Sequence, residues 1–220
     1  MVPYRLIEKL YLARYIMVGS KVMRHDDVET YFDIKLGAAI HRNHEIRAEV
    51  ADIFKKVIEQ QLGAEKHGII GVSPAIAPIV AIVGYLTGCP IVTIATRFHH
   101  NKGYMRFYGP PEMGYKYTLV DDSIISGETI SRAFSYWSDL GYGIENIIVF
   151  CDRQEGGLGN IKNNIEEISA RTGNGKNIKI TSLVTRKRIL DELKENSKIS
   201  STEYREALKG STIANDYNTP

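Results

Sequence analysis

Cysteine is scarce in this sequence: Cys89 and Cys151 are the only two, and each sits in an apolar stretch without the close spacing of a metal knuckle. That excludes a disulfide scaffold and a zinc ribbon, and points to reduced thiols inside a cell. An excess of one charge sign is missing too. Lys and Arg total 28 against 26 for Asp and Glu, a formal net charge of +2, so nothing electrostatic favours nucleic acid as a partner. The N-terminal "MVPYRLIEKLYLARY" mixes charges among its apolar residues and lacks the apolar core of a signal peptide, so a cytoplasmic location is the expectation. The one long uncharged run, "SPAIAPIVAIVGYLTGCPIVTIA" at 73–95, is interrupted by Pro74, Pro78, Gly84, Gly88 and Pro90. It is expected to fold as a loop, a short helix and a buried strand, not to span a membrane. No internal repeat, heptad run or low-complexity block is present. What remains, 43% hydrophobic and 25% charged residues over a chain of 220, is the composition of one globular domain with a sizeable core.

Periodicity then orders the chain. Residues 3–15 predict an amphipathic helix, and 44–62 a longer one with Ile46, Val50, Ile53, Phe54, Val57 and Ile58 on one stripe. Strands are expected at 68–72, 90–95, 115–120, 146–151 and 178–184, with helices at 76–87, 128–140, 158–172, 186–195 and 202–209. The polar, Gly- and Pro-bearing stretch 97–114 is read as a long loop with room for a hairpin, a candidate lid, and the last ten residues as a frayed tail. The strands are apolar throughout and alternate with helices. The fold class is therefore α/β, a mainly parallel sheet flanked by helices on both faces. One domain over 1–220 is expected, with 1–40 as a small N-terminal hood and 196–220 as a C-terminal extension.

The chemistry concentrates in "LVDDSIISGET", residues 119–129. Ligands of open α/β sheets gather at the carboxyl ends of the strands, where Asp121 and Asp122 fall. The loop after them leads into a helix, so its backbone N–H groups and the Ser126 and Thr129 hydroxyls form a cradle for phosphate. Two carboxylates would repel that phosphate. They suit a neutral, hydroxyl-rich part of the same ligand, or Mg²⁺. A ribose carrying a 5-phosphate meets both demands. A surface turn with capping carboxylates is the plain alternative.

An apolar strand, two acids and a Ser/Gly loop resemble the phosphoribosyl pyrophosphate (PRPP) motif of the type I phosphoribosyltransferases. "CDRQEGG" at 151–157 resembles the orotate-binding segment of the orotate phosphoribosyltransferases. "GVSPAIAPIVA" at 71–81 is similar to that family's pyrophosphate loop, "YFDIK" at 31–35 to its stretch beside the base, and "SLVTRKRILDEL" at 182–193 to its closing strand and helix. The likeness runs in the right order over roughly residues 20–195. It implies the phosphoribosyltransferase α/β core with a small hood, and transfer of phosphoribosyl from PRPP to orotate with Mg²⁺ held through substrate and water and no protein-only metal site. It also implies a homodimer. By the same resemblance PRPP would meet Asp121, Asp122, Ser123, Ile124, Ile125, Ser126, Gly127, Glu128 and Thr129, with Val72 and Ser73. The pyrophosphate would meet Arg97, His100 and Lys102 from the lid, Lys102 with the acidic pair being the catalytic set. Orotate would meet Arg153, whose guanidinium suits its carboxylate, with Ile125 and Arg24.

The pattern is broken in places. Ile125 stands where the family's phosphate loop usually carries Thr, and Glu128 where a small residue is usual. A carboxylate at Glu128 opposes phosphate unless it points outward, where it favours the helix N-terminus. The lid has His100 in a position usually held by Lys, and Arg24 is only the nearest base-side cation to "YFDIK". Such losses also fit a non-catalytic or weakly active PRPP- or nucleotide-binding regulator, which is the alternative. Transfer to another base is disfavoured by Arg153, because purines carry no carboxylate.

Overall fold

The computed structural model describes residues 2–23, 29–61, 66–94, 107–109, 111–173 and 177–209. Helix α1 (Tyr4–Leu12) leads into a hairpin of β1 (Ile16–Met23) and β2 (Glu29–Ile34), paired antiparallel with Val18 opposite Phe32. Helices α2 (Leu36–Arg42) and α3 (His44–Glu59) follow. Asn43 separates the two helices by accepting from the N–H groups of Glu45 and Ile46, which caps α3. Then come β3 (His67–Gly71), a 3-10 turn at Pro74–Ile76, α4 (Ala77–Thr87), β4 (Ile91–Ile94) and the short β5 (Phe107–Tyr108). The second half is β6 (Lys116–Ile124), α5 (Glu128–Asp139), β7 (Gly143–Asp152), α6 (Gly157–Thr172), β8 (Lys179–Thr185), α7 (Arg186–Glu195) and α8 (Ser201–Lys209).

The main sheet is six-stranded in the order β5-β4-β3-β6-β7-β8, parallel except for the edge strand β5. This is the α/β architecture expected, with the N-terminal hairpin as a separate small sheet. Continuous apolar strands are explained by burial on both faces. Ile69, Val120, Ile148 and Phe150 point into a core shared with α1, α3, α4 and α7. Their neighbours Ile70, Leu119, Ile147 and Val149 point into a second core under α5 and α6, centred on Phe134 and Trp137. The uncharged run at 73–95 divides among the 3-10 turn, α4 and β4, and among the described residues no helix is long and apolar enough to cross a membrane.

Two features differ from the sequence expectation. Strand 115–120 was expected to stop before the acids, but β6 runs through them to Ile124. Pairing with β7 continues at Asp121↔Val149, Ser123↔Cys151 and Ile124↔Asp152, so ladder hydrogen bonds hold the polar residues in extended backbone. The hood proves to be a real hairpin, and α8 from the C-terminal extension packs on it, with the Glu203 side chain against Gly19. Both cysteines are free thiols, and burial pushes Cys151 up to about 12, which makes it inert. Most of the predicted lid, with Arg97, His100 and Lys102, lies outside the described residues, as do Arg24 and the tail from 210 onward.

Candidate active site

The carboxyl ends of β3, β6 and β7 meet along one edge of the sheet, where Asp121 and Asp122 lie. Asp121 is 4% exposed. Its Oδ1 accepts from Ser73 Oγ at 2.6 Å and from the Asp122 N–H at 3.0 Å. Val72, just before Ser73, donates its N–H to Val120 O at 2.9 Å, which fixes the β3 loop beside the pair. Asp122 faces the start of α2, where Gly37 leaves no room for a side chain against Ala75.

Burial, and then the charge of Asp122, push the Asp121 carboxyl up to about 8, against the weaker opposing pull of the Ser73 hydroxyl. Burial also raises Asp122, opposed by the N–H groups of Ser123 and Gly37. Both carboxyls are thus held above the ordinary carboxylate range, and burial is the leading cause for each. Among the described residues no group of three or more His, Cys, Asp or Glu could hold a metal ion.

Beyond Ile124 the chain bends through Ile125, Ser126 and Gly127 into α5. Gly127 has φ +79° and lies so close to Gly157 that a Cβ on it would approach the Gly157 carbonyl to 2.4 Å. Only glycine fits both the left-handed turn and that approach. The turn starts α5 directly after the carboxyl end of β6, and the Glu128 N–H donates to Ser126 Oγ at 3.4 Å. Ser126 is exposed, with its carbonyl held by Asn160 Nδ2 at 3.0 Å, and Thr129 is exposed on the first helical turn. Glu128 points outward and pairs with Arg132 one turn on. Its carboxylate therefore adds to the helix N-terminus from outside and does not fill the cradle.

At the end of β7 the picture changes. Arg153 is 2% exposed. Its Nε donates to Glu155 Oε1 at 3.1 Å, Nη1 to Asp33 Oδ1 at 2.9 Å and Nη2 to Phe32 O at 2.6 Å. The guanidinium expected to meet a ligand carboxylate thus joins β2 to the sheet, over the Phe32 ring. Asp152 Oδ1 accepts from the Gln154 N–H, which supports the left-handed Gln154, and Gln154 Oε1 accepts from the Lys187 N–H. Arg186, buried at the start of α7, stands 3.6 Å from Glu155 Oε1. Sequence reasoning brought together the acidic pair, the α5 loop, the β3 loop and Arg153. It named neither Gly37 nor Arg186 and took in Asp33 only within "YFDIK", because the groups that surround these residues come from distant parts of the chain.

No protein-family model matches the chain. The orotate phosphoribosyltransferase of Thermococcus gammatolerans is 26% identical over 161 residues, which is 71% of this chain and 82% of that protein. Of solved structures, UMP synthase of Leishmania donovani superposes with a TM-score of 0.73 at 16% identity over 96% of this chain, which spans 42% of that larger one. The orotate phosphoribosyltransferase of Aeropyrum pernix gives a TM-score of 0.67 at 19% identity, covering 86% of this chain and 98% of that one.

Proposed function

We propose, from the premise that the chain has the type I phosphoribosyltransferase fold and is homologous to orotate phosphoribosyltransferases, that it transfers phosphoribosyl from PRPP to orotate. The ring nitrogen of orotate gives up its proton and bonds to C1 of the ribose, and the C1–oxygen bond breaks with its electron pair leaving on pyrophosphate, which yields orotidine 5-monophosphate and pyrophosphate. The observation that carries this reading is the continuity of β6, the buried acidic pair and the Gly127 turn. A hydroxyl-binding and a phosphate-binding element stand a few residues apart on one rigid strand end.

In this reading Asp121 and Asp122 hold the 2- and 3-hydroxyls of the ribose. The N–H groups from Ile125 to Thr129, with the Ser126 and Thr129 hydroxyls, hold the 5-phosphate. Val72 and Ser73 approach the pyrophosphate from the β3 loop, and Arg97, His100 and Lys102 are assigned to it from the stretch outside the described residues. Charge builds on the ribosyl carbon as the bond to pyrophosphate loosens, so positioning and fixed dipoles supply the catalysis. Mg²⁺ enters as counter-ion of the PRPP diphosphate, part of the substrate, and no step is assigned to it. The base lies between the Phe32–Asp33 stretch and the Arg153 segment, beside Ile125, with Arg24 also assigned there. A homodimer is proposed on the same homology.

The test is pyrophosphate release from Mg-PRPP with a panel of bases. Release with orotate and not with uracil, adenine or hypoxanthine supports the reading, and release with a purine alone overturns it. The engagement of Arg153 with Asp33 and Glu155 favours a second reading, a PRPP-binding regulator. That reading expects PRPP to raise the melting temperature with no base turned over.

A further inference from the structure

The β1–β2 hairpin is held from two sides. On one side it meets the arginine corner at the end of β7, where Arg153 donates to Asp33 Oδ1 at 2.9 Å and to Phe32 O at 2.6 Å. Phe32 O also accepts from the buried Thr30 Oγ1 at 3.0 Å, so residues 30–33 are tied together beside the candidate site. On the other side the hairpin meets α8, which packs on both of its strands. That contact falls on an irregularity. Val18 stands opposite Phe32 and Val22 opposite Thr30, so Gly19, Ser20 and Lys21 occupy the length that Tyr31 alone takes on β2. Such a bulge bends a strand and sharpens its twist. Gly19 has φ +80°, and a Cβ on it would meet Glu203 Cγ at 2.4 Å, so the Glu203 stem fills the space a side chain would take. Glu203 is itself fixed. Its Oε2 accepts from the Ser200 N–H at 2.7 Å and its N–H donates to Ser200 Oγ at 3.2 Å, a reciprocal cap at the start of α8. Tyr204 moors α8 to α7, its hydroxyl donating to Asp191 Oδ1 at 2.7 Å and its ring lying 4.5 Å from Lys194 Nζ.

We propose that Glu203 is a positioning residue for the acceptor base, setting through the Gly19 bulge how the Phe32–Asp33 stretch lies over the end of β7. This rests on the proposed transfer to orotate and deepens it, because that reading seats the base between this stretch and the Arg153 segment. A two-stranded hairpin is marginal by itself, so its place is decided by what it packs on. A shift at the bulge passes to Phe32 O and Asp33 through the Val18–Phe32 pair and the Thr30 hydroxyl. The sugar and phosphate half of the site is built instead on β6 and the Gly127 turn, which the β6–β7 ladder holds in shape. A change at Glu203 therefore separates the two halves: binding of the base moves and binding of PRPP does not.

The experiment measures KM for orotate and for PRPP by pyrophosphate release, with calorimetric titration of orotidine 5-monophosphate and of PRPP, on the full chain. The parent is compared with Glu203→Ala, Glu203→Gln and Ser200→Ala. Glu203→Ala takes the stem from over Gly19. It should raise KM for orotate, and weaken orotidine monophosphate, by roughly three- to thirtyfold, while PRPP stays within about twofold. Glu203→Gln keeps the stem and the acceptor for Ser200, and should match the parent. Ser200→Ala loses one bond of the cap, so it should lower the melting temperature and leave both KM values in place. A merely structural role for Glu203 would lower the melting temperature and the active fraction, which reduces kcat without moving either KM. An unmoved orotate KM in Glu203→Ala, an equal rise for both substrates, or the same orotate shift in Ser200→Ala overturns the inference and leaves the proposed function standing. A parent that binds PRPP yet neither uses orotate nor binds orotidine monophosphate sinks the proposed function, and the inference with it.

Discussion

At the acidic pair, one unbroken stretch from Leu119 to Thr129 supplies strand, carboxylates, turn and helix start. At the arginine corner the partners come from β2, the end of β7 and the start of α7, with Arg153 and Asp33 lying 120 residues apart in the chain. The first region is shaped mainly by backbone: the β6–β7 ladder, the left-handed Gly127 and the N–H groups of α5. Side-chain changes such as Ile125 and Glu128 alter it without dismantling it. The second region is shaped by buried charges that must be mutually satisfied, so each member depends on the others. Backbone-built sites tolerate sequence drift, and charge-built sites do not.

The sharpest way to break this contrast is Arg153→Ala. It leaves Glu155 and Asp33 without their main partner in a buried setting, and should lower the unfolding free energy by about 3–5 kcal/mol. Urea denaturation measures this, and a loss below about 1 kcal/mol would place the corner with ordinary exposed pairs.

An intermediate effect is expected at Asp121, with a definite sign in pH. The carboxyl is pushed up to about 8 in the fold, against an ordinary value of about 3.9. Between those values the native chain keeps a proton that the unfolded chain has released, so the ligand-free protein loses stability as pH rises through that window. Asp121→Asn should flatten the decline, and above pH about 8 it should stabilise the free protein by about 1–3 kcal/mol. The same change should weaken PRPP binding, since an acceptor for a ribose hydroxyl is lost. Thermal unfolding across pH, with and without PRPP, reads both. An Asn variant that declines as steeply as its parent would assign the slope to another group.

The smallest effect is predicted for Glu128→Gln. The exposed Glu128–Arg132 pair contributes little, so stability should change by no more than about 0.5 kcal/mol. Affinity for PRPP should rise by less than roughly threefold, because a negative charge is removed near the phosphate cradle. A fall in affinity would mean that Glu128 turns inward when ligand binds.

While the β1–β2 hairpin, α2 and β5 were not among the predicted elements, local pattern was enough to order the parallel strands of the main sheet and the helices between them, and to set Asp121, Asp122 and the Gly127 turn at the carboxyl edge of that sheet. These features depend on side-chain periodicity and on what a glycine or a helix start does within a few residues, so one sequence carries them. Tertiary structure alone decided that β6 continues through the acids, that Asp121 is buried beside Asp122, and that α8 packs on the N-terminal hairpin. It also decided that Arg153 is tied to Asp33 while Arg186 is buried with donors to spare. Burial and charge pairing are properties of groups brought together from distant parts of the chain, and nothing in the local sequence around Arg153 or Arg186 encodes which partner each will meet.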